Sequence, residues 1–152
     1  MMEEMCDRIY IIIALDLEGT LISNAISIFP RPGLHEFLRW CYDRFERVVL
    51  FTAVNNHRAR WVVQLLAEEG TAPKKFGGVE IIDWSGDYKD LRFVAKAEPD
   101  EILIVDDQER YILPEQRDQW IEIEEFVSPY EQTDEALVGV RKRISRRLAG
   151  DE

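Results

Sequence analysis

Residues 9–22 read IYIIIALDLEGTLI, and the rest of the chain is expected to fold around this stretch. Residues 9–13 are β-branched or aromatic without polar alternation, a pattern typical of a strand buried on both faces. Asp16, Glu18 and Gly19 follow, and acidic residues and glycine are poor strand formers. The two carboxylates are therefore predicted at the carboxyl end of a central strand, where open α/β sheets bind their ligands.

Two further buried strands are predicted, and both end in polar residues. Residues 47–51 lead to Thr52, and residues 101–105 lead to the pair Asp106 and Asp107. The carboxyl ends of parallel strands lie at one edge of a sheet. If the three strands are adjacent, these side chains are expected to converge with the carboxylates of the first strand.

Helical periodicity separates the strands and indicates the fold class. Apolar residues recur at helical spacing from Leu34 to Phe45, and a second helix is predicted to start at Asn55. The other expected elements are a weak strand at 79–82, a short helix at 88–97, a strand at 120–123 and a helix at 134–148. This alternation predicts a three-layer α/β/α sandwich around a central, mainly parallel, Rossmann-like sheet, formed by a single domain over residues 1–152.

The composition argues against two classes of partner. The chain has 152 residues, of which 46% are hydrophobic and 32% charged, and its net charge is −11. No nucleic-acid partner is expected, because such surfaces depend on dense lysine and arginine. No membrane association is expected either, because no apolar run approaches the roughly 20 residues of a membrane helix.

Basic residues outside the motifs are interpreted as surface residues. Arg31, between Pro30 and Pro32, is expected to be exposed, and the basic cluster in the last predicted helix to form a solvated face.

A cytoplasmic location is expected. The start, MMEEMCDR, lacks the layout of a signal peptide. Cys6 and Cys41 show neither CxxC nor metal-ligand spacing, which favours free thiols in a reducing compartment. Nothing in the sequence specifies an oligomeric state.

The motif DLEGTL, which begins at Asp16, resembles the first motif of the haloacid dehalogenase (HAD) superfamily, most of whose members are phosphohydrolases. That motif usually reads hhhhDxDGT, so Glu18 stands where an aspartate is usual. Thr52 resembles the Ser or Thr of the second motif, and Asp106-Asp107 the acidic pair of the fourth.

The runs RPGLHEFL, VVLFTA, YKDL and ILIVDD, in this order, narrow the resemblance to the FCP/SCP-like branch, also called the NLI-interacting-factor-like phosphatases. The first motif of this branch normally reads DLDETL. By this resemblance Lys89 of YKDL is the motif lysine, ahead of Lys74, Lys75 and Lys96. Its position at the start of the helix predicted for 88–97 would direct it at the site.

The resemblance implies a phosphomonoester phosphatase of HAD type. Asp16 would attack phosphorus and form an aspartyl-phosphate, which water then hydrolyses. Glu18 would protonate the leaving oxygen and then take a proton from the water, as general acid and base. Thr52 and Lys89 would hold the phosphoryl oxygens in the transition state.

The same resemblance implies a Mg²⁺ cofactor. The metal would be held by the side chains of Asp16 and Asp107 and by the backbone carbonyl of Glu18. Asp106 would orient Lys89 or a metal-bound water, or exchange roles with Asp107.

Glu18 leaves two hypotheses open. Its carboxylate has the proton chemistry of aspartate but reaches one methylene further, and small misplacements lower catalytic rates. The acireductone enolase-phosphatases are similar at this motif, reading DxEGT, which favours a working enzyme. The alternative is a non-catalytic binding module on the same fold.

The intervals between the motifs bound the substrate. Residues 20–47 hold only a short flap and one helix, and residues 52–89 hold only a helix, a loop and a weak strand. Neither interval has room for a large cap domain, so an open cleft is expected. This favours a phosphoprotein or another bulky phosphoester, with a small-metabolite phosphate as the alternative.

Overall fold

The computed structural model of the protein describes residues 9–150, and Cys6 therefore lies outside the described residues. Within this range the strands and α-helices are β1 (Ile12–Leu15), α1 (Leu34–Arg44), β2 (Arg47–Leu50), α2 (Asn56–Glu68), β3 (Glu80–Ile81), β4 (Ile102–Asp106), β5 (Trp120–Glu122) and α3 (Ala136–Leu148). None of the helices within residues 9–150 is both long and apolar enough to cross a membrane.

The five strands form one parallel sheet in the order β3-β2-β1-β4-β5. The central strand, β1, pairs with β2 on one side and β4 on the other, and all four of its residues are buried. This double burial is the physical reason for the apolar run that precedes Asp16. The predicted α/β fold with a central parallel sheet is confirmed, and the three strong strands are adjacent.

The two faces of the sheet are covered by different kinds of structure. Ile13 and Leu15 belong to a buried cluster with side chains from α1, α2 and α3. Ile12 and Ala14 face the other side, where the buried residues from short 3₁₀ turns and loops include Leu91, Val94 and Ile112. Right-handed crossovers account for this division, because the chain moves from β1 to β3 in one direction and returns to β4 and β5 in the other.

The first strand lies further along the chain than predicted. β1 begins at Ile12, and Ile9 is 72% exposed. The chain is held at Ile11, whose N–H donates to the Glu101 carbonyl, just before the sheet begins. The apolar run therefore begins before the first residue of β1, and Ile9 at its start is not covered by the rest of the fold.

The short helix predicted for residues 88–97 is wrong. Asp90 accepts a hydrogen bond from the Arg92 N–H and starts a single 3₁₀ turn at Leu91–Phe93. Side-chain bonds of this kind compete with helix propagation. Lys89 precedes the turn, and its N–H donates to the Tyr111 carbonyl at 2.8 Å. Lys89 is therefore placed by a loop-to-loop contact and not by a helix start.

The basic residues of α3 do more than form a solvated face. Arg143 donates a hydrogen bond to the carbonyl of Glu122, the last residue of β5, and Arg147 to the carbonyl of Asp118, two residues before β5. Arg141 lies over the ring of Trp40, 5.4 Å from its centroid. These contacts attach α3 to the edge of the sheet and to α1.

Candidate active site

Asp16 and Lys89 meet at the carboxyl edge of the sheet, together with the end of β4. The Asp16 N–H donates to the Val105 carbonyl at 3.0 Å, which continues the β1–β4 pairing by one residue. Lys89 Nζ lies 2.8 Å from Asp16 Oδ1 and 2.5 Å from Asp106 Oδ2. The ends of two adjacent strands and the loop that carries Lys89 thus form one buried polar cluster.

Thr20 links the first motif to the second acid after β4. Its hydroxyl lies 2.8 Å from Asp16 Oδ2 and 3.1 Å from Asp107 Oδ1, and the residue is fully buried. Gln108 Nε2 donates to the other oxygen of Asp107 at 2.8 Å. Thr20 was not among the residues predicted for the site, although its position in the motif DLEGTL could have indicated it.

Gly19 is required by the close approach of Asp107. Its φ of +78° lies in the left-handed region, where glycine is favoured. A Cβ at this position would lie 2.5 Å from Asp107 Oδ2 and 3.2 Å from Glu125 Cγ. The departure from DLDETL at this position therefore has a steric reason in this chain, because any larger residue would displace Asp107.

The carboxylates of Asp16, Asp106 and Asp107 offer oxygens that all lie within 4.8 Å of one another. Burial raises the pKa of Asp16 well above its ordinary value, although the Lys89 ammonium acts in the opposite direction. Burial likewise raises the pKa of Asp106, again against the effect of Lys89. The cluster holds three carboxylates and only one ammonium group, so its negative charge is not balanced by Lys89. Because hard divalent cations prefer oxygen ligands, these residues fit such a cation.

Lys89 is 1% exposed and remains charged in this cluster. Burial acts to lower its pKa, but the nearby Asp16 and Asp106 carboxylates more than offset this and raise it. The Nζ atom also lies 4.7 Å from the centroid of the Tyr111 ring, on which an ammonium is favoured. Asp106 is thereby engaged with Lys89 through Oδ2 and with the Gln108 N–H through Oδ1.

Thr52 lies at the end of β2 in the wall of the same cleft as Asp16. It is 3% exposed, and its hydroxyl oxygen accepts a hydrogen bond from the Val54 N–H at 3.1 Å. Its carbonyl accepts from Trp84 Nε1 at 2.8 Å. These bonds fix the turn between β2 and α2 and hold the hydroxyl group at the cleft.

The Glu18 carboxylate lies apart from the three clustered aspartates. Residues 23–29 form a flap, closed at its base by an antiparallel bridge between Ile22 and Pro30. Glu18 Oε2 accepts a hydrogen bond from the N–H of Ala25 in this flap at 2.6 Å. Glu18 also lines the cleft that contains Asp16. The longer glutamate side chain is thus fixed to the flap, beside the cleft.

The cleft that contains Asp16 has a volume of about 340 Å³. Besides the first motif and the flap, residues 107–111 and residues 125–130 form its walls. The latter segment contributes Phe126 and Tyr130, whose ring centroids are 5.1 Å apart. No motif in the sequence indicated that this segment lines the site. The exposed residues of the rim are Glu18, Ala53, Arg110, Glu125, Val127 and Ser128.

Arg31 is buried, and the expectation that it is exposed was wrong. Its Nε and Nη2 donate to the two oxygens of Asp134 at 2.9 and 3.1 Å. Its Nη1 lies 3.2 Å from the carbonyls of both Gly19 and Thr20. Arg31 therefore connects the first-motif loop to Asp134, two residues before α3. Arg31 and Asp134 are 103 residues apart in the sequence, so no local pattern indicated that they form an ion pair.

Asp134→Asn is expected to lower the free energy of unfolding by about 3 kcal/mol, because it leaves the buried Arg31 guanidinium without its counter-charge. Urea denaturation measures this change. Glu80→Gln is the matched control, since it breaks an arginine pair whose side chains are 30% and 45% exposed. Its expected cost is about 0–1 kcal/mol. Equal costs for the two variants would contradict the structural role of the buried pair.

The chain is similar to known phosphatases both in a family model and in a solved structure. The family model of the NLI interacting factor-like phosphatases matches residues 11–150. A search of curated proteins found no match. Among solved structures, the chain is similar to the RNA polymerase II CTD phosphatase Fcp1 of fission yeast, in a variant bound to beryllium fluoride. The TM-score is 0.55 at 16% identity, over 92% of this chain and 51% of that chain.

The present chain spans about half the length of the Fcp1 structure, and a likeness at this identity shows the shared fold. The family model matches nearly all of the described residues. The matched range includes the residues of the candidate site from Asp16 to Asp107. The resemblance noted in the sequence is confirmed. The chain belongs to the NLI interacting factor-like phosphatases, which are hydrolases of the HAD type.

Proposed function

We propose that this chain is a Mg²⁺-dependent phosphomonoester phosphatase in which Asp16 is the nucleophile and Glu18 the general acid and base. It would act as a single domain in the cytoplasm. The observation that carries the proposal is the cluster at the carboxyl edge of the sheet. There the Asp16 carboxylate lies in the cleft wall, 2.8 Å from the Lys89 ammonium and within 4.8 Å of two further carboxylates.

In the first step, an Asp16 oxygen attacks the phosphorus atom of the substrate. The bond between phosphorus and the ester oxygen breaks, and Glu18 gives its proton to that oxygen. The product is an aspartyl-phosphate on Asp16. Thr20 and Lys89 hold the carboxylate of Asp16 through hydrogen bonds of 2.8 Å each, so that its orientation is set before the substrate arrives.

In the second step, water attacks the phosphorus atom of the aspartyl-phosphate. Glu18 takes a proton from this water, and the bond between phosphorus and the Asp16 oxygen breaks. Inorganic phosphate leaves, and both side chains return to their starting states. Lys89 and the Thr52 hydroxyl would stabilise the charge on the phosphoryl oxygens in both steps.

Phosphatases of this family generally use a divalent metal, and we propose Mg²⁺ held by Asp16, Asp107 and the Glu18 carbonyl. When bound, the ion neutralises charge on the phosphoryl group. Asp106 is assigned to the orientation of Lys89, because the contact between them is only 2.5 Å long. Thr20 and Gln108 would hold Asp107 in place for the ion.

The shape of the cleft supports a large substrate. Its rim includes six exposed residues, and the seven-residue flap contributes only Ser23 and Asn24 to its lining. A phosphorylated side chain of a protein, or another bulky phosphoester, can enter such a cleft without the closure that a cap provides. We therefore propose a phosphoprotein or bulky phosphoester substrate.

Removal of the metal is expected to abolish hydrolysis of p-nitrophenyl phosphate. Loss of several kcal/mol of transition-state stabilisation corresponds to a fall in turnover of about 10²-fold or more. The protein is treated with EDTA, assayed, and assayed again after excess Mg²⁺ is added, with EDTA already saturated by Mg²⁺ as the control. Undiminished turnover in EDTA would contradict the metal dependence. Absence of turnover in folded, Mg²⁺-loaded protein would favour a non-catalytic binding module.

A substrate panel separates the two classes of phosphoester. Phosphoserine, phosphothreonine and phosphotyrosine peptides are compared with sugar and nucleotide phosphates at equal concentration. Higher kcat/KM for peptides is expected from the open cleft. Higher kcat/KM for the small metabolites would instead support the alternative substrate class.

A further inference from the structure

The peptide groups on both sides of Ala25 are held by charged side chains. The N–H of Ala25 donates to Glu18 Oε2 at 2.6 Å. Its carbonyl accepts two hydrogen bonds from Arg58, from Nε at 3.1 Å and from Nη2 at 2.7 Å. Ala25 is buried, although its neighbour Ile26 is 87% exposed. The centre of the flap is therefore connected to the first motif on one side and to α2 on the other.

Arg58 is itself firmly placed. It lies in the first turn of α2, where its backbone N–H donates to the capping side chain of Asn55 at 2.9 Å. Its guanidinium carbon lies 4.4 Å from the centroid of the Trp61 ring, one helical turn further on. α2 packs through Val62 and Val63 against the sheet. Because α2 is packed against the sheet, the Arg58 guanidinium holds the Ala25 carbonyl of the flap in a fixed position relative to that helix.

The flap has its own internal hydrogen bonds, but these do not direct it toward Glu18. The Asn24 side chain accepts from the N–H groups of Ile26 and Ser27, and the Ser23 hydroxyl from that of Phe29. Such bonds shape the flap as a unit and leave its position relative to the cleft open. That position is set by the two bonds from Arg58 to the Ala25 carbonyl, together with the burial of Ala25 in the core and the contact between the Phe29 and Tyr130 rings.

We propose that Arg58 is a positioning residue for Glu18. By holding Ala25, it places the N–H that fixes Glu18 Oε2 and leaves the other carboxylate oxygen for proton transfer. The inference rests on the proposed role of Glu18 as general acid and base. It also gives a physical reason why glutamate works at this position, because the N–H restricts the side chain that the extra methylene would otherwise make more mobile.

The leaving group of the substrate provides a readout that a purely structural role does not affect. p-Nitrophenolate leaves without a proton, whereas the phenolate of phenyl phosphate depends on protonation by the general acid. Arg58→Ala is expected to lower kcat/KM by about 10-fold or more for phenyl phosphate and by about threefold or less for p-nitrophenyl phosphate. The measured quantity is the ratio of the two kcat/KM values.

Arg60→Ala is the matched control. Arg60 lies on the same helix and also donates to two backbone carbonyls, those of Gly77 at 2.9 Å and Val79 at 2.6 Å, which do not line the cleft. Its loss is expected to leave the ratio unchanged. Arg58→Lys keeps one donor and the charge, and is expected to restore part of the ratio, which also provides a test if Arg58→Ala does not fold.

Glu18→Gln separates failure of this inference from failure of the proposed function. It is expected to change the ratio at least as much as Arg58→Ala, and the double variant no more than Glu18→Gln alone. If Glu18→Gln changes the ratio and Arg58→Ala and Arg58→Lys behave like Arg60→Ala, the positioning role of Arg58 is overturned while the role of Glu18 stands. If Glu18→Gln leaves the ratio unchanged, the assigned role of Glu18 is overturned, and the role of Arg58 with it.

Discussion

Asp16→Asn is expected to abolish hydrolysis of p-nitrophenyl phosphate, with turnover lowered by more than about 10³-fold. The amide has nearly the shape of the carboxylate but is a far weaker nucleophile. It also places no negative charge beside Lys89, whose Nζ lies 2.8 Å from Asp16 Oδ1. Steady-state turnover in saturating Mg²⁺ measures the effect. Acid-quenched wild-type protein should in addition carry a phosphoryl group on the peptide that contains Asp16.

The control for this prediction is Asp87→Asn, which makes the same chemical change at an exposed position. Its turnover is expected to equal that of the wild type. Thermal unfolding of both variants checks that each is folded. Turnover of Asp16→Asn within a few-fold of the Asp87→Asn value would exclude Asp16 as the nucleophile. A phosphoryl adduct on another residue would do the same and identify the group that takes its place.

Lys89→Met is expected to impair both catalysis and folding. The ammonium is 1% exposed between two carboxylates, at 2.8 Å from Asp16 and 2.5 Å from Asp106. Its removal leaves two buried carboxylates without their counter-charge, which costs about 3–5 kcal/mol of stability. Turnover should fall by about 10²-fold or more, because the phosphoryl oxygens lose a charged donor. Urea denaturation and steady-state assays measure the two effects.

Lys74→Met provides the comparison, since Lys74 is an exposed residue at the start of the 3₁₀ helix Lys74–Gly78, which follows α2. Its stability is expected to change by less than about 0.5 kcal/mol, and its turnover to remain that of the wild type. A Lys89→Met variant as stable as Lys74→Met would contradict the charge balance described for the cluster. Wild-type turnover in Lys89→Met would contradict its proposed contact with the phosphoryl group.

The three strand ends of the candidate site were predictable because burial constrains the sequence strongly there. A strand covered on both faces must be apolar, so the change to acidic residues at Asp16 and Asp106 marks the point where the sheet ends. Thr52 follows the same rule after β2. These residues converge because the strands that carry them are hydrogen-bonded neighbours, and β1 lies between the other two.

The environment of Lys89 could not be read from local pattern. Leu91 and Val94 have the spacing of one helical turn, and the same spacing is satisfied by a 3₁₀ turn that packs on the sheet. Besides the local bond at Asp90, the turn has two partners distant in the sequence, because the Lys89 N–H donates to the Tyr111 carbonyl and the Leu91 N–H to Gln116 Oε1. The buried state of Arg31 likewise depends on Asp134, which is 103 residues away.

The sequence by itself determined the order of the elements, the parallel α/β architecture, and the acidic strand ends with the motif that contains Asp16. These features depend on periodicity and burial, which act on neighbouring residues. Only the tertiary structure decided how Glu18 is held, because its partner Ala25 is bound by Arg58 of α2, which is 33 residues further along the chain. Contacts between residues distant in the chain depend on how whole elements pack, and no local pattern specifies them.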